Sequence, residues 1–173
     1  EPMNTASRLA SDLTGRARIR QAALHMFARR GYSRTSLRLI AQRAQVSIAL
    51  IGHHFGNKQA LYVSVGAWVA HTLAELASDE LQVNMTMPEA GTRLVAGLRR
   101  ALDAEPDLAT CARRELREGG SLPGQPNLVT ELHAELHRIL VALGNRLSSS
   151  AEDANWWVSH VLCLALGPLV LEP

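Results

Sequence analysis

Apolar residues recur every three or four positions along most of the chain, which is the spacing of one face of an α-helix. No run alternates between apolar and polar residues in the manner of a half-buried strand. Capping residues, prolines and glycines divide the pattern into segments. We predict helices near 14–30, 58–81, 88–104, 106–118, 127–147 and 152–168, with two shorter helices between residues 36 and 56. The predicted fold class is therefore all-α.

The two short helices are predicted to lie on either side of a tight turn. One apolar set follows the capping residue Ser36 and a second follows Ser47, with only Gln45 and Val46 between the two helices. Helices of about eight residues are not stable alone in water, so this pair must pack on the helices before and after it. The order predicts a helix-turn-helix, a motif whose second helix enters the major groove of DNA.

The sequence around this motif resembles the TetR family of bacterial repressors. The matching pieces are Gly31-Tyr32, Thr35-Ser36-Leu37-Arg38, Ile40-Ala41, Val46-Ser47, His54-Phe55-Gly56-Asn57-Lys58 and Ala60-Leu61-Tyr62. A match of this length in register is improbable by chance, whereas a match to a three-residue motif is not. It covers about residues 14–62 and implies a three-helix DNA-binding head, followed by a helical domain that binds a small ligand and dimerises. Two positions depart from the family pattern: Gln45 stands where glycine is usual, and Gly52 where tyrosine is frequent.

The charges are divided between the two parts of the chain. Residues 1–62 hold ten Arg or Lys and two acidic residues, a net charge of +8, whereas residues 63–173 hold eight and fourteen, a net charge of −6. A basic region on an acidic one is typical of a nucleic-acid reader with a separate second domain. We therefore predict a flexible arm over 1–13, a DNA-binding domain over 14–62 and a ligand-binding and dimerisation domain over 63–173.

The resemblance also implies which residues contact DNA. The predicted contacts are Ser36, Arg38, Ser47, Ile48, Ala49, Leu50, His53, His54 and Lys58. In the family, the counterparts of Ile48, Ala49, Leu50 and His53 face base edges, and those of His54 and Lys58 hold phosphates. The second helix has few polar side chains, so we expect it to read thymine methyl groups and to use one imidazole.

The second domain is expected to bind an apolar or amphipathic effector and a second copy of the chain. Flexible thioethers and flat rings suit an effector pocket, for which the candidates are Trp68, Met85, Met87, Cys111, His133 and His137. The dimer candidates come from the last two helices: Leu136, Leu140, Leu143, Trp157, Val161 and Leu164. The resulting hypothesis is a repressor that binds a palindromic operator as a homodimer and is released by the effector.

Two alternatives remain open from the residues alone. His133 and His137 lie four residues apart, a spacing that suits one metal ion in a metal-dependent enzyme, although no third ligand is evident. The other alternative is a DNA-binding module controlled by a protein partner without a small ligand. We find no catalytic motif and predict no enzyme activity and no cofactor.

The remaining sequence features favour a cytoplasmic protein without a membrane partner. Cys111 and Cys163 are far apart and form no C-x-x-C motif, so we predict that both are reduced. Residues 1–20 are polar and basic, which is not the pattern of a secretory signal. The apolar run from Val161 to Leu171 is too short to span a bilayer, and we expect Gly167-Pro168 to break it.

Overall fold

The computed structural model describes residues 5–79, 81–82, 85–118, 124–147 and 151–171. Over these residues the chain forms eight α-helices and no strand, which confirms the predicted all-α class. The helices are α1 (Thr5–Arg30), α2 (Leu37–Ala44), α3 (Ile48–Phe55), α4 (Lys58–Ser78), α5 (Met87–Ala104), α6 (Pro106–Glu118), α7 (Leu128–Leu147) and α8 (Ala151–Leu171). The predicted start of the first helix was wrong, because α1 begins at Thr5 and not near Thr14.

The chain divides into two compact units. We call residues 1–65 the head and residues 66–173 the body, so the division falls inside α4. By length and composition alone, α4 is apolar enough to cross a membrane. Its apolar residues are instead used in two cores, since Leu61 and Val65 are buried in the head and Val69 and Leu73 in the body. The hydropathy of α4 is therefore that of a core helix.

The core of the head brings α1, α2, α3 and the first turns of α4 together. Its fully buried side chains include Ile19, Phe27, Ile40, Ile51 and Leu61. At its edge, the ring of Tyr62 stands edge-on to those of Phe27 and Tyr32, with centroids 4.9 and 5.0 Å away. Aromatic rings prefer such edge-to-face packing, which fixes α4 to the end of α1.

The body is held by close approaches between helices. Fully buried leucines lie on α5 and α7, both of which pack on α8: Leu94, Leu98, Leu132, Leu136 and Leu140. A Cβ added to Gly97 on α5 would lie 2.6–3.0 Å from backbone atoms of Ala77 on α4. A Cβ on Gly91 would lie 3.0 Å from the ring of Trp157 on α8. Both crossings thus depend on a missing side chain on α5.

Helix α8 continues through Pro168 to Leu171, so the predicted break at Gly167-Pro168 does not occur. Proline has no backbone N–H, and this leaves the carbonyl four residues earlier without its usual helical donor. That carbonyl belongs to Leu164, and the guanidinium of Arg99 on α5 donates to it at 2.8 Å. A side chain from a neighbouring helix therefore supplies the hydrogen bond that the proline removes.

Three of the predicted dimer residues are buried within the protomer's own core, which corrects their assignment. Leu136 and Leu140 are 0% exposed and Val161 is 2% exposed, so they are not available to a partner. Trp157 is half-buried and packs on Gly91. Leu164, at 59% exposed, lies on the surface. The side chain of Leu143 lies outside the described residues.

Candidate DNA-binding surface

Each short helix of the head begins at a serine cap. The Leu39 N–H donates to the Ser36 hydroxyl at 3.3 Å, and the Leu50 N–H donates to the Ser47 hydroxyl at 3.2 Å. Both serines have extended backbone angles and are solvent-exposed. Such caps satisfy one of the free amides at a helix start. The cap residues predicted from the sequence are therefore confirmed.

The turn between α2 and α3 passes through a left-handed residue. Gln45 has φ 54° and ψ 48°, and among the described residues it alone of the non-glycines has a positive φ. Its N–H returns to the carbonyls of Ala41 and Gln42, which closes the end of α2. This conformation costs about 1–2 kcal/mol for a residue with a Cβ. Gln45 thus adopts the left-handed backbone conformation that a glycine at this position of the turn would adopt.

Arg18 on α1 secures this turn, a role that the sequence did not indicate. Its Nη2 donates to the carbonyl of Ala44 at 2.5 Å and to that of Gln45 at 3.2 Å. A cation also suits the C-terminal end of a helix such as α2, where the free carbonyls carry partial negative charge. No local sequence motif indicates this contact, because the two acceptor residues lie 26 and 27 positions after Arg18 in the sequence.

Helix α3 has an inner face and an outer face. Ile51 and Phe55 are buried against the head, whereas Ile48, Ala49 and His53 are exposed. Ile48 is 49% exposed, although it is a large apolar residue at the start of the helix. These three predicted base-reading side chains therefore share the surface that α3 presents to solvent.

Leu50 and His54 lie toward α1 rather than at the centre of the outer face. Both are half-buried, and a Cβ added to Gly15 on α1 would lie 3.4 Å from Leu50 Cδ2 and 3.7 Å from His54 Nε2. The His54 ring also lies edge-on to that of His53, with centroids 5.3 Å apart. Leu50 and His54 therefore mark the boundary between the packed and the exposed face of α3.

Lys58 is held at the start of α4. Asn57 caps this helix, since its Oδ1 accepts the Ala60 N–H at 2.8 Å. The ammonium of Lys58 lies over the ring of Tyr32, 4.1 Å from its centroid, and partial burial lowers the pKa of Lys58. A cation at a helix N-terminus is opposed by the helix dipole. The Tyr32 ring offsets part of that cost.

Arg38 and Ser36 complete the group on α2. Both are exposed, as is Ser47 at the start of α3. The predicted DNA-binding residues thus fall on one short segment that carries α2, α3 and the first turn of α4. Arg16 on α1 is also exposed near α3, with its guanidinium 5.6 Å from the ring centroid of Phe55.

The predicted effector residues of the body are distributed over α4 to α7. Met85, Met87 and Cys111 are buried, whereas Trp68, His133 and His137 are half-buried. Burial raises the pKa of the Cys111 thiol to about 12, and the nearby Glu115 adds to the rise. Cys111 is therefore a packing residue with an unreactive thiol.

The histidine pair on α7 does not extend into a metal site. The rings of His133 and His137 lie nearly parallel with centroids 6.3 Å apart. Within the part of the chain that the structure describes, no group of three His, Cys, Asp or Glu side chains could hold a metal ion. Metal sites require three or four such ligands, so the described residues give the enzyme alternative no support.

A polar contact between His71 and Glu135 joins α4 to α7 within the body. The distance from His71 Nε2 to Glu75 Oε1 is 3.3 Å. The distance from His71 Nδ1 to Glu135 Oε2 is 3.6 Å. Because the carboxylates approach opposite nitrogens, they do not converge on one point. Arg138 pairs with the same oxygen of Glu135, and its hydrogen bond is the main cause of the lowered pKa of that carboxyl.

Comparison with known proteins places the head in a defined family. Residues 19–65 match the family model described as bacterial regulatory proteins, tetR family. The chain is 33% identical over 158 residues to the HTH-type transcriptional repressor Rv3405c of Mycobacterium tuberculosis, covering 91% of this chain and 73% of that protein. It is 41% identical over 75 residues to the HTH-type transcriptional regulatory protein RaaS of the same species, which covers 43% of this chain and only 35% of RaaS.

A solved structure extends the likeness to the whole fold. The gamma-butyrolactone receptor described as an ArpA-like protein aligns with a TM-score of 0.59 and 24% identity, covering 93% of this chain and 81% of the receptor. At that identity the likeness concerns the fold alone. The relatives and the family are regulators of transcription and not enzymes. The matched head, the capped helix-turn-helix and the similarity to Rv3405c over 91% of this chain together show that it belongs to the TetR family of bacterial transcriptional regulators.

Proposed function

We propose that the chain is a cytoplasmic repressor that binds a palindromic DNA operator as a homodimer and is released by a small molecule. The observation that carries the DNA-binding part is the exposed face of α3, flanked by cations of the basic head. A single helix-turn-helix reads few base pairs, so a two-fold dimer on successive major grooves, about 34–36 Å apart, is the expected arrangement.

In this proposal the polar residues around α3 position the head on the DNA backbone. Lys58 is placed at the N-terminal end of α4, where the dipole and free amides also attract a phosphate. Arg38 provides a planar fork of donors from α2, and His54 an imidazole beside the groove. A bound phosphate would relieve the electrostatic cost that the helix dipole imposes on Lys58.

A salt titration separates these positioning residues from the base-reading ones. Operator and random duplexes are titrated with wild-type, Lys58→Ala and His53→Ala proteins. Lys58→Ala should weaken binding to both duplexes alike and reduce the slope against salt by about one. His53→Ala should weaken the operator selectively, at about 1–3 kcal/mol per misread base pair. An unchanged slope in the first variant, or equal losses in the second, would contradict these roles.

We propose that the dimer forms through the outer stripe of α8. This stripe consists of Trp156, His160, Cys163 and Leu164, which are all exposed. The Trp156 and His160 rings stack with centroids 3.7 Å apart, and Trp156 and Leu164 are 53% and 59% exposed. An apolar stripe of this kind is costly to leave in water and suits a self-complementary two-fold contact.

Light scattering tests this interface with a matched pair of variants. Wild type should be a dimer at micromolar concentration, and Leu164→Asp should shift it to monomer. The control is Leu76→Asp, which places the same charge on another exposed leucine of the body, 42% exposed on α4. It should remain dimeric. Equal behaviour of the two variants, or a monomeric wild type, would reject the α8 interface.

We propose that the effector binds in the body among the half-buried and buried groups that include Trp68, Met85 and Met87. The gamma-butyrolactone receptor with the same fold motivates lactones as the first probes. A ligand shifts the DNA-binding equilibrium only by its differential affinity for the bound and free states. Trp68→Ala should therefore change the lactone dose that releases operator DNA while ligand-free binding is retained.

Release by none of the lactones, together with release by a purified partner protein, would favour the partner-controlled alternative. An equal loss of ligand-free operator affinity in Trp68→Ala would instead indicate a folding defect. Far-UV circular dichroism of the variant distinguishes that case, since the helical signal should match wild type if the fold is intact.

A further inference from the structure

Gly52 is the unexplained glycine of α3. Gly56 has φ 78°, a conformation that favours glycine, and Gly97 has the backbone of Ala77 where a Cβ would lie. Gly52 has neither feature: it lacks a positive φ, and a Cβ there would meet nothing within 4 Å. A glycine inside a helix is destabilising relative to alanine. Neither the backbone conformation nor the packing of the head accounts for it.

The exposed surface around Gly52 is mostly apolar. It lies on the same exposed face as Ile48, Ala49 and His53, and of these four residues only His53 has a polar side chain. The sequence of α3, IALIGHHF, contains no arginine, lysine, asparagine or glutamine. It therefore lacks the forked donors and acceptors that read guanine or adenine through paired hydrogen bonds.

We propose that α3 recognises thymine methyl groups at close range, with Ile48 and Ala49 as the contact surface and Gly52 as the residue that admits them. The inference rests on the proposed DNA-binding function and specifies what the helix reads. The 5-methyl of thymine is the apolar group that base edges present in the major groove. Burying it against Ile48 removes two apolar surfaces from water. The absent side chain at Gly52 lets the helix backbone approach the base edges.

The first experiment removes the methyl groups from the DNA. Duplexes with a randomised central region are selected for binding to the full chain, and each thymine of the enriched site is then replaced by uracil. Uracil keeps the hydrogen-bonding edge and lacks only the methyl. Replacement at a contacted thymine should weaken binding about fourfold per methyl, as expected for about one buried carbon. Replacement outside the site should have no effect.

The second experiment changes the protein at Ile48 and Gly52. Ile48→Ala should bind thymine and uracil duplexes nearly alike, because the partner of the methyl is gone. Gly52→Ala should bind the enriched duplex at least tenfold more weakly, while its binding to random DNA is retained and its melting temperature rises by about 2–4 °C. A variant that is more stable yet binds more weakly cannot owe its defect to misfolding.

Gly66→Ala is the matched control. Gly66 also lies inside a helix, α4, with nothing within 4 Å of an added Cβ. The control should raise the melting temperature without changing affinity for the enriched duplex. Full affinity of Gly52→Ala, or equal binding of thymine and uracil duplexes by wild type, would overturn the inference while leaving DNA binding intact. Failure of wild type to enrich any sequence would reject the proposed function and the inference together.

Discussion

The head and the body fix their helices by different means. In the head, Ser36, Ser47 and Asn57 each accept a backbone N–H three residues later, so a helix start is determined by a few adjacent residues. The body also has capped helices, at Thr86 and Asn127. Its helix crossings, however, depend on contacts between distant residues, of which Arg99 to Leu164 spans 65 positions.

This difference suits the role that we propose for each unit. A DNA reader must present a few side chains in a fixed arrangement, and short-range hydrogen bonds define that arrangement with little dependence on the rest of the fold. A unit that responds to a ligand needs helices whose packing can take two arrangements. Close crossings at glycines, such as Gly97 on α5, provide contacts that are sensitive to small displacements. The predictions below perturb one unit at a time.

The largest effect is expected from Gly97→Ala in the body. The new Cβ would overlap the backbone of Ala77, which cannot rotate away as a side chain could. We expect a loss of about 3 kcal/mol in the free energy of unfolding. All three tryptophans (Trp68, Trp156 and Trp157) lie in the body, so their fluorescence during urea unfolding reports this unit. Gly66→Ala, with open space around its Cβ, should show no loss.

Thr35→Val should destabilise the head by about 1–3 kcal/mol. Thr35 is 1% exposed, and its hydroxyl donates to the Gly31 carbonyl at 2.8 Å with the Met26 carbonyl 3.2 Å away. Valine has nearly the same shape but leaves these buried carbonyls without that donor. Hydrogen exchange of the head amides should accelerate while tryptophan-detected unfolding of the body is unchanged. A shift in both signals would mean that the two units unfold as one.

Gln45→Gly should stabilise the head by about 1 kcal/mol. Gln45 occupies a left-handed conformation that glycine adopts without a steric penalty, although glycine also has more freedom in the unfolded chain. Slower exchange of the α2 and α3 amides would measure the gain. Gln42→Gly, a change inside α2 where the backbone is helical, should have the opposite sign. Destabilisation by both changes would show that the Gln45 side chain has a role of its own.

The smallest effect is expected at Glu135 in the body, at about 0.3–0.5 kcal/mol. The hydrogen bond from Arg138 is the main cause that lowers the pKa of this carboxyl in the folded protein. A depressed pKa stabilises the fold above the unfolded value near 4.3, and this contribution is lost as pH falls through the folded pKa. Glu135→Gln should therefore lower stability at pH 7 and converge with wild type in acid. A difference that persists at low pH would exclude an ionic origin.

The helix-turn-helix of the head could be predicted from the sequence because its signals are local. The serine caps Ser36 and Ser47 each act on an amide three residues later, and both were predicted. The start of α1 at Thr5 was missed, since the preceding residues show no cap and few apolar positions. The contact of Arg18 with the turn was missed because its partners are distant in sequence.

The body was less predictable for the same reason. An apolar stripe looks the same whether it faces its own core or a partner, so Leu136, Leu140 and Val161 were assigned to the wrong surface. On α4, Leu76 continues the stripe of Leu61, Val65 and Leu73 but is 42% exposed. Periodicity gives the phase of a helix face and not the identity of what covers it.

The proline of α8 has a consequence for how the body helices can move. Within α8, Pro168 leaves the Leu164 carbonyl without its usual helical donor, and Arg99 on α5 donates to it. If α8 slid by one turn, the guanidinium would move away from the Leu164 carbonyl, which has no other donor within the helix. Pro168 therefore fixes the register of α8 against α5. Helix α8 can tilt about the hydrogen bond from Arg99, but translation along its axis requires that hydrogen bond to break.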